Sequence, residues 1–296
     1  GTDADHITID GASNTVNAGN GDNVITVHGG SNKITTGANS DDITIDGASN
    51  TVNAGNGDNI ITVHGGSNKI TTGTDADNIT IDGASNTVNA GNGDNQITVS
   101  SGDHNSIVSG SGKDTISMTS SHSTVKSGDG SDSITVSGSD NKIDAGDGDN
   151  EITVAGNQNS IVSGSGKDTI SMTSNNSTVK SGNGGDSITV SGSDNKIDAG
   201  DGDNEITVAG NQNSIVSGNG KDTISISSGD SITVNSGAGD DKITASGNSD
   251  IINAGDGNDS VTMTGNSNTV NAGNGNDHVT VNGNSDIVDA GNGSDV

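Results

Sequence analysis

A chain of 296 residues with 48 glycines, no proline, no cysteine, no aromatic side chain and a formal net charge of −29 cannot assemble an ordinary globular core. A surface of that sign excludes nucleic acid and anionic membranes as partners, and no apolar run approaches the length of a bilayer span, so membrane insertion is not expected. Such a chain orders only if something beyond aliphatic burial offsets the backbone entropy, and a bound cation would do this while neutralising charge. Without cysteine there is no disulfide framework, and no signal peptide is visible.

The sequence aligns with itself in lines that begin at Gly1, Gly19, Gly37, Gly55, Gly73, Gly91, Gly110, Gly128, Gly146, Gly164, Gly182, Gly200, Gly218, Gly237, Gly255 and Gly273. Fourteen lines have 18 residues and two have 19. A repeat of this length and regularity means a solenoid, here all-β, with about sixteen coils in one continuous repeat domain over residues 1–296. Because Gly1 already lies in a repeat and Val296 breaks off inside one, the chain reads as a segment of a longer protein.

Each coil opens on a glycine-rich turn. A strand follows, marked by aliphatic seventh and ninth positions such as Ile25 and Val27 or Ile116 and Met118, with Thr or Ser between them facing outward. A second turn leads to a shorter strand around the aliphatic sixteenth position (Val16, Ile34, Val52, Ile143), and the coil closes on a small residue such as Ala18, Thr36 or Ser163. Apolar positions nine apart give two parallel strands and two turns per coil. The extra residues of the two longer coils, near Ser100 and Ser227, are expected as bulges at a strand-to-turn corner. Two residues before the second aliphatic stands a recurrent Asn (Asn14, Asn32, Asn50, Asn68, Asn86, Asn105, Asn141, Asn159, Asn195, Asn213, Asn268), whose amides are expected to stack in a hydrogen-bonded ladder and satisfy the turn backbone.

The first turn carries the chemistry. It reads AGNGND at 272–277, AGDGND at 254–259, SGDGSD at 127–132, and SGSGKD at 109–114 and 163–168. Glycines there permit positive φ and leave carbonyls uncovered, while Asp offers a hard oxygen ligand. This turn resembles the nonapeptide repeat of the RTX family, GGxGxDxUx, although the first glycine of that pattern is Ala, Ser or Thr here. The resemblance implies a right-handed parallel β-roll wound around Ca2+. It places the ligands on the fifth-position aspartates: Asp5, Asp41, Asp77, Asp114, Asp132, Asp168, Asp186, Asp222, Asp241, Asp259, Asp277 and Asp295. Five coils carry Asn in that position (Asn23, Asn59, Asn95, Asn150, Asn204), with Asp one residue earlier (Asp22, Asp58, Asp94, Asp149, Asp203), and these ten residues are weaker metal candidates. In three coils the second turn glycine is replaced by Asp3, Asn39 or Asp75, residue types that tolerate the left-handed region. The second turn lacks the Asp-bearing pattern, so a single calcium row of roughly 15 ions is expected along one edge.

A calcium-stapled solenoid of this kind suggests a non-catalytic extracellular element of a bacterium, secreted or on the cell surface: the stalk of a large adhesin, or a surface or biofilm-matrix filament in which copies stack end to end. The alternative is ice binding, because the repeat also resembles RTX-like solenoids of a bacterial ice-adhesion family. Charges such as Asp42, Glu151 and Lys242 interrupt the flanks of the Thr ladder and weaken that reading. A polysaccharide-acting β-helix enzyme, or its accessory module, ranks third. Almost every polar residue recurs in the next repeat, so no unique catalytic constellation stands out and no catalytic residue is assigned. The six histidines, His6, His28, His64, His104, His122 and His278, read as solvated outward side chains.

Overall fold

The computed structural model describes all residues, 1–296, and contains strands and turns with no helix. The chain divides into two compact units, residues 1–147 and 148–296. In each unit every coil contributes two strands, as His6–Ile9 and Thr15–Gly19 do in the first coil. First strands pair only with first strands of neighbouring coils, and second strands with second strands, so each unit is a two-sheet solenoid of eight coils.

Pairing is parallel and in register with the repeat. In the first unit Ile7 lies beside Ile25 and Ile25 beside Ile43; in the second, Ile152 lies beside Ile170 and Ile170 beside Ile188. The two 19-residue coils keep this register by bulging. The ladder shifts between Val99 and Ser101 in one and skips Ser227 in the other.

Alternation within each strand decides what is buried. Ile25 and Val27 of a first strand and Ile34 and Thr36 of the second strand all turn inward and are at most 5% exposed. Small residues at the eighteenth position keep the core thin, and where they are polar their hydroxyls are used. Ser109 donates to the carbonyl of Ser127 at 3.1 Å, and Ser127 to that of Ala145 at 2.8 Å. Burial of these hydroxyls is therefore compensated within the stack.

The second turn carries the expected Asn ladder and one unexpected feature. The ladder runs from main-chain N–H to side-chain oxygen, so the amides satisfy the turn backbone of the preceding coil. The Asn14 N–H donates to Asn32 Oδ1 at 2.7 Å, Asn32 N–H to Asn50 Oδ1 at 2.8 Å, and Asn195 N–H to Asn213 Oδ1 at 2.9 Å. The residue just before this Asn is also held at positive φ in every coil, near +60° for Ser13, Ser49, Gln212 and Ser267 alike. That conformation is rare outside glycine. It lets the Ser49 N–H reach the carbonyl of Gly66 in the next coil at 3.1 Å.

Candidate metal centre

The fifth coil position uses the same device on the opposite edge. Main-chain N–H groups of one coil donate to the side-chain Oδ1 of the next: Asn23 to Asp41 at 2.9 Å, Asp114 to Asp132 at 2.8 Å, Asp222 to Asp241 at 2.8 Å, and Asp259 to Asp277 at 2.9 Å. This bond draws the carboxyl group inward. Asp41, Asp77, Asp114, Asp132, Asp168, Asp186, Asp222, Asp241, Asp259 and Asp277 are at most 2% exposed, whereas Asp5 and Asp295 are half-buried.

The second oxygen of these groups defines the site. Oδ2 of Asp41, Asp77, Asp114, Asp168, Asp186, Asp222, Asp241, Asp259 and Asp277 is buried and accepts no hydrogen bond. The eighteenth-position hydroxyl lies close, and Ser109 lowers the pKa of Asp114. That hydroxyl has one proton, however, and donates it to Ser127 O. Desolvation therefore dominates, and burial raises the carboxyl pKa of Asp77, Asp114, Asp132, Asp168, Asp222 and Asp241, and that of Asp259 to about 6.

Asn coils reveal what surrounds Oδ2, because their Nδ2 occupies the equivalent place. Asn23 Nδ2 donates to Gly21 O at 2.8 Å, Gly19 O at 3.2 Å and Asp41 Oδ1 at 2.8 Å. Asn95 Nδ2 donates to Gly93 O at 2.9 Å, Ser109 O at 3.1 Å and Asp114 Oδ1 at 3.0 Å. Asn204 Nδ2 reaches Gly200 O, Gly202 O and Ser217 O at 3.0–3.3 Å. The environment is thus made of oxygens: three turn carbonyls and a carboxylate from the next coil. An amide fills it with N–H donors. An ionised carboxylate, which only accepts, does not.

The remaining candidates lie elsewhere. Asp22, Asp58, Asp94, Asp149 and Asp203 are exposed, and several bind turn amides from outside, as Asp94 Oδ1 does with the Lys113 N–H at 2.7 Å and Asp203 Oδ1 with the Lys221 N–H at 2.8 Å. Of the three residues replacing the second turn glycine, Asn39 alone has positive φ, at +95°; Asp3 and Asp75 avoid the left-handed region. Asp75 instead accepts from the Gly57 N–H through Oδ2 at 2.8 Å.

Several features escaped the sequence reading. Asp250 and Asp286 stand in the Asn column of the second turn. Asp250 is 1% exposed, its Oδ1 accepts from the Ile232 N–H at 2.8 Å, and its Oδ2 has no partner. The visible signal was an Asp where the column otherwise favours Asn. His28 and His64 also have partners. Their Nδ1 atoms lie 2.8 Å from Asp10 Oδ1 and 2.7 Å from Asp46 Oδ1, and the bond to Asp10 raises the pKa of His28. His104 and His122 stack at a centroid distance of 5.2 Å.

No three His, Asp or Glu groups converge on one point, so a cation in the first turn would draw mainly on main-chain carbonyls with one or two carboxylates. Such an oxygen set suits calcium. Residues 9–43, 45–79, 233–261 and 264–296 match the RTX calcium-binding nonapeptide repeat (4 copies). Together with the two-sheet coils, these matches make the chain an RTX-type β-roll repeat protein of the calcium-binding kind. Residues 63–122, 119–176 and 173–230, together more than half of the sequence, match the family described as Protein of unknown function (DUF3060), and the chain belongs to that family. No curated protein and no solved structure matches it.

Proposed function

We propose that the protein is a calcium-stabilised, non-catalytic structural element that works outside the bacterial cell, as an adhesin stalk or a surface or matrix filament. The observation carrying this reading is the row of buried Asp Oδ2 atoms without donors, in the place where Asn coils put an amide. Leaving a buried polar group unsatisfied costs about 1–3 kcal/mol, more when it is charged. Nine such carboxylates are comparable to the whole stability of a domain, about 5–15 kcal/mol. At neutral pH and without a cation, the ionised row therefore opposes folding.

Calcium supplies a compact positive charge that the carboxylates and turn carbonyls can share. The ligands in this reading are Asp5, Asp41, Asp77, Asp114, Asp132, Asp168, Asp186, Asp222, Asp241, Asp259, Asp277 and Asp295 with the carbonyls around them. Coils with Asn23, Asn59, Asn95, Asn150 and Asn204 are bridged by their amides, so fewer ions than coils are needed. A chain that orders only at high calcium can cross an export channel unfolded and stiffen outside, where calcium is plentiful. Side chains that recur every 18 residues favour a role set by length and surface over one set by a unique reaction centre.

The test is a calcium titration of the chelated protein followed by far-ultraviolet circular dichroism, with magnesium as control. A cooperative coil-to-β transition with calcium alone is expected. A β-signal at neutral pH that is indifferent to calcium would remove the basis for the assignment. End-to-end stacking of copies belongs to the same reading, and electron microscopy of calcium-loaded protein should then show fibres longer than one chain.

A further inference from the structure

The two outer faces of the unit formed by residues 1–147 carry opposite charge. Outward positions of the first-strand sheet (sixth, eighth and tenth in each coil) include Asp10, Asp42, Asp46 and Asp82 and no lysine, with His28 and His64 standing between the tenth-position aspartates and bonded to Asp10 and Asp46. Outward positions of the second-strand sheet (fifteenth and seventeenth) include Lys33, Lys69, Lys126 and Lys142 against the single carboxylate of Asp144. In a chain of net charge −29 with only ten basic residues, four lysines on one face of one unit are a concentrated positive strip. Lys33 and Lys69 are exposed and form no ion pair within the chain, whose salt bridges all involve histidine.

The spacing matches as well as the sign. Asp10, Asp46 and Asp82 recur every 36 residues, which is every second coil, and so do Lys33 and Lys69. Both rows lie on ladders of one parallel stack, so each repeats at about 9.6 Å, twice the strand spacing of about 4.8 Å. Thr51 lies between Lys33 and Lys69, and Thr15 and Thr87 flank the pair, so the lysines stand among short side chains. Exposed Ile60, beside Asp42 in the sixth-position column and across the Thr column from the acidic row, adds an apolar contact at 52% exposure.

We infer that the first-strand face of one copy docks on the second-strand face of another, placing the acidic row of one solenoid against the lysine row of its neighbour. A second copy of this chain is the occupant favoured on these observations, because it carries carboxylates at the same pitch as the lysines. The contact is heterologous and leaves a free face of each kind, so it propagates into an open lateral stack and does not close as a dimer. It differs from end-to-end stacking because it joins sheet faces instead of strand edges.

Sedimentation equilibrium of calcium-loaded protein tests this. The wild type should show mass that grows with concentration at low ionic strength. Association should weaken roughly tenfold or more in about 1 M salt, where the Debye length is about 3 Å. Two surface variants separate the faces: Lys33→Glu with Lys69→Glu, and Asp10→Lys with Asp46→Lys and Asp82→Lys. Each alone should remain monomeric with wild-type circular dichroism, and their equimolar mixture should associate. A wild type that stays monomeric at low salt overturns the inference, as does either variant associating alone or a mixture that stays monomeric.

Discussion

Aspartate and asparagine at the fifth coil position place the same oxygen on the same main-chain N–H and differ in what the second atom can do. Asn59 Nδ2 donates to Gly57 O at 2.8 Å, whereas Oδ2 of Asp77, one coil on, faces the equivalent carbonyls with nothing to donate. Asp259→Asn should therefore stabilise the calcium-free protein by about 1–3 kcal/mol in urea unfolding with chelator, and lower the calcium stoichiometry measured by calorimetry. Asp250→Asn, in the other turn, should stabilise by removing a buried carboxyl group that desolvation disfavours in its charged form. The pH dependence follows from the sign of the shifts. Burial raises the folded-state pKa of Asp259 to about 6, above its unfolded value of 3.8, so the folded state holds the proton more tightly. Its contribution is fully present below about pH 4 and is lost as pH rises through about 6. Without calcium, circular dichroism should accordingly show β-structure near pH 4–5 that diminishes toward pH 8.

The two turns obey different conformational rules. Gly55 has φ +75°, and a Cβ there would lie 2.0 Å from the carbonyl oxygen of Gly37, so the coil above excludes any side chain. Ser49 has φ +60° with its side chain exposed, so the cost is conformational alone. Gly55→Ala should lose more than the roughly 1–2 kcal/mol of the left-handed region itself, because backbone must also move. At Ser49, Gly should be tolerated within about 0.5 kcal/mol, while Val should cost about 1–2 kcal/mol. Chemical denaturation of the calcium-loaded variants measures all three. The glycine pattern made the first turn legible. Nothing in a Ser, His or Gln at the thirteenth position announces positive φ, because that conformation is imposed by the hydrogen bond to the next coil.

Stability in a solenoid is close to a sum of coils and their neighbour contacts, so it can vary along the chain. Within residues 1–147 the fifth position alternates from Asp5 through Asn23, Asp41, Asn59 and Asp77 to Asn95, and each of these aspartates is next to an amide. Within residues 148–296 the run Asp222, Asp241, Asp259, Asp277 and Asp295 has no amide at all. Carboxylates on adjacent coils repel one another: besides desolvation, the charges of Asp241 and Asp277 raise the pKa of Asp259, although the Asp241 N–H lowers it. Hydrogen exchange during calcium withdrawal should therefore show protection lost first across 222–295 and retained longest across 23–95. Uniform loss along the chain would contradict the amide-bridging account.

The all-β solenoid, the 18-residue coil with its two strands, the inward aliphatic columns and the two bulges are readable from residue order alone, because they depend on period and polarity that repeat in every line. The same order marks the fifth-position column, Asp259 and Asn59 included, as the place where chemistry differs. What that difference means depends on how the coils stack. Whether a carboxylate oxygen is solvated or buried among carbonyls depends on the coil stacked against it, 18 residues away. The same stacking exposed Asp250 as buried without a donor and set the Asp10 and Lys33 rows on opposite faces. Residue identity fixes which donors and acceptors exist, and the packing of successive coils fixes which of them are left without a partner.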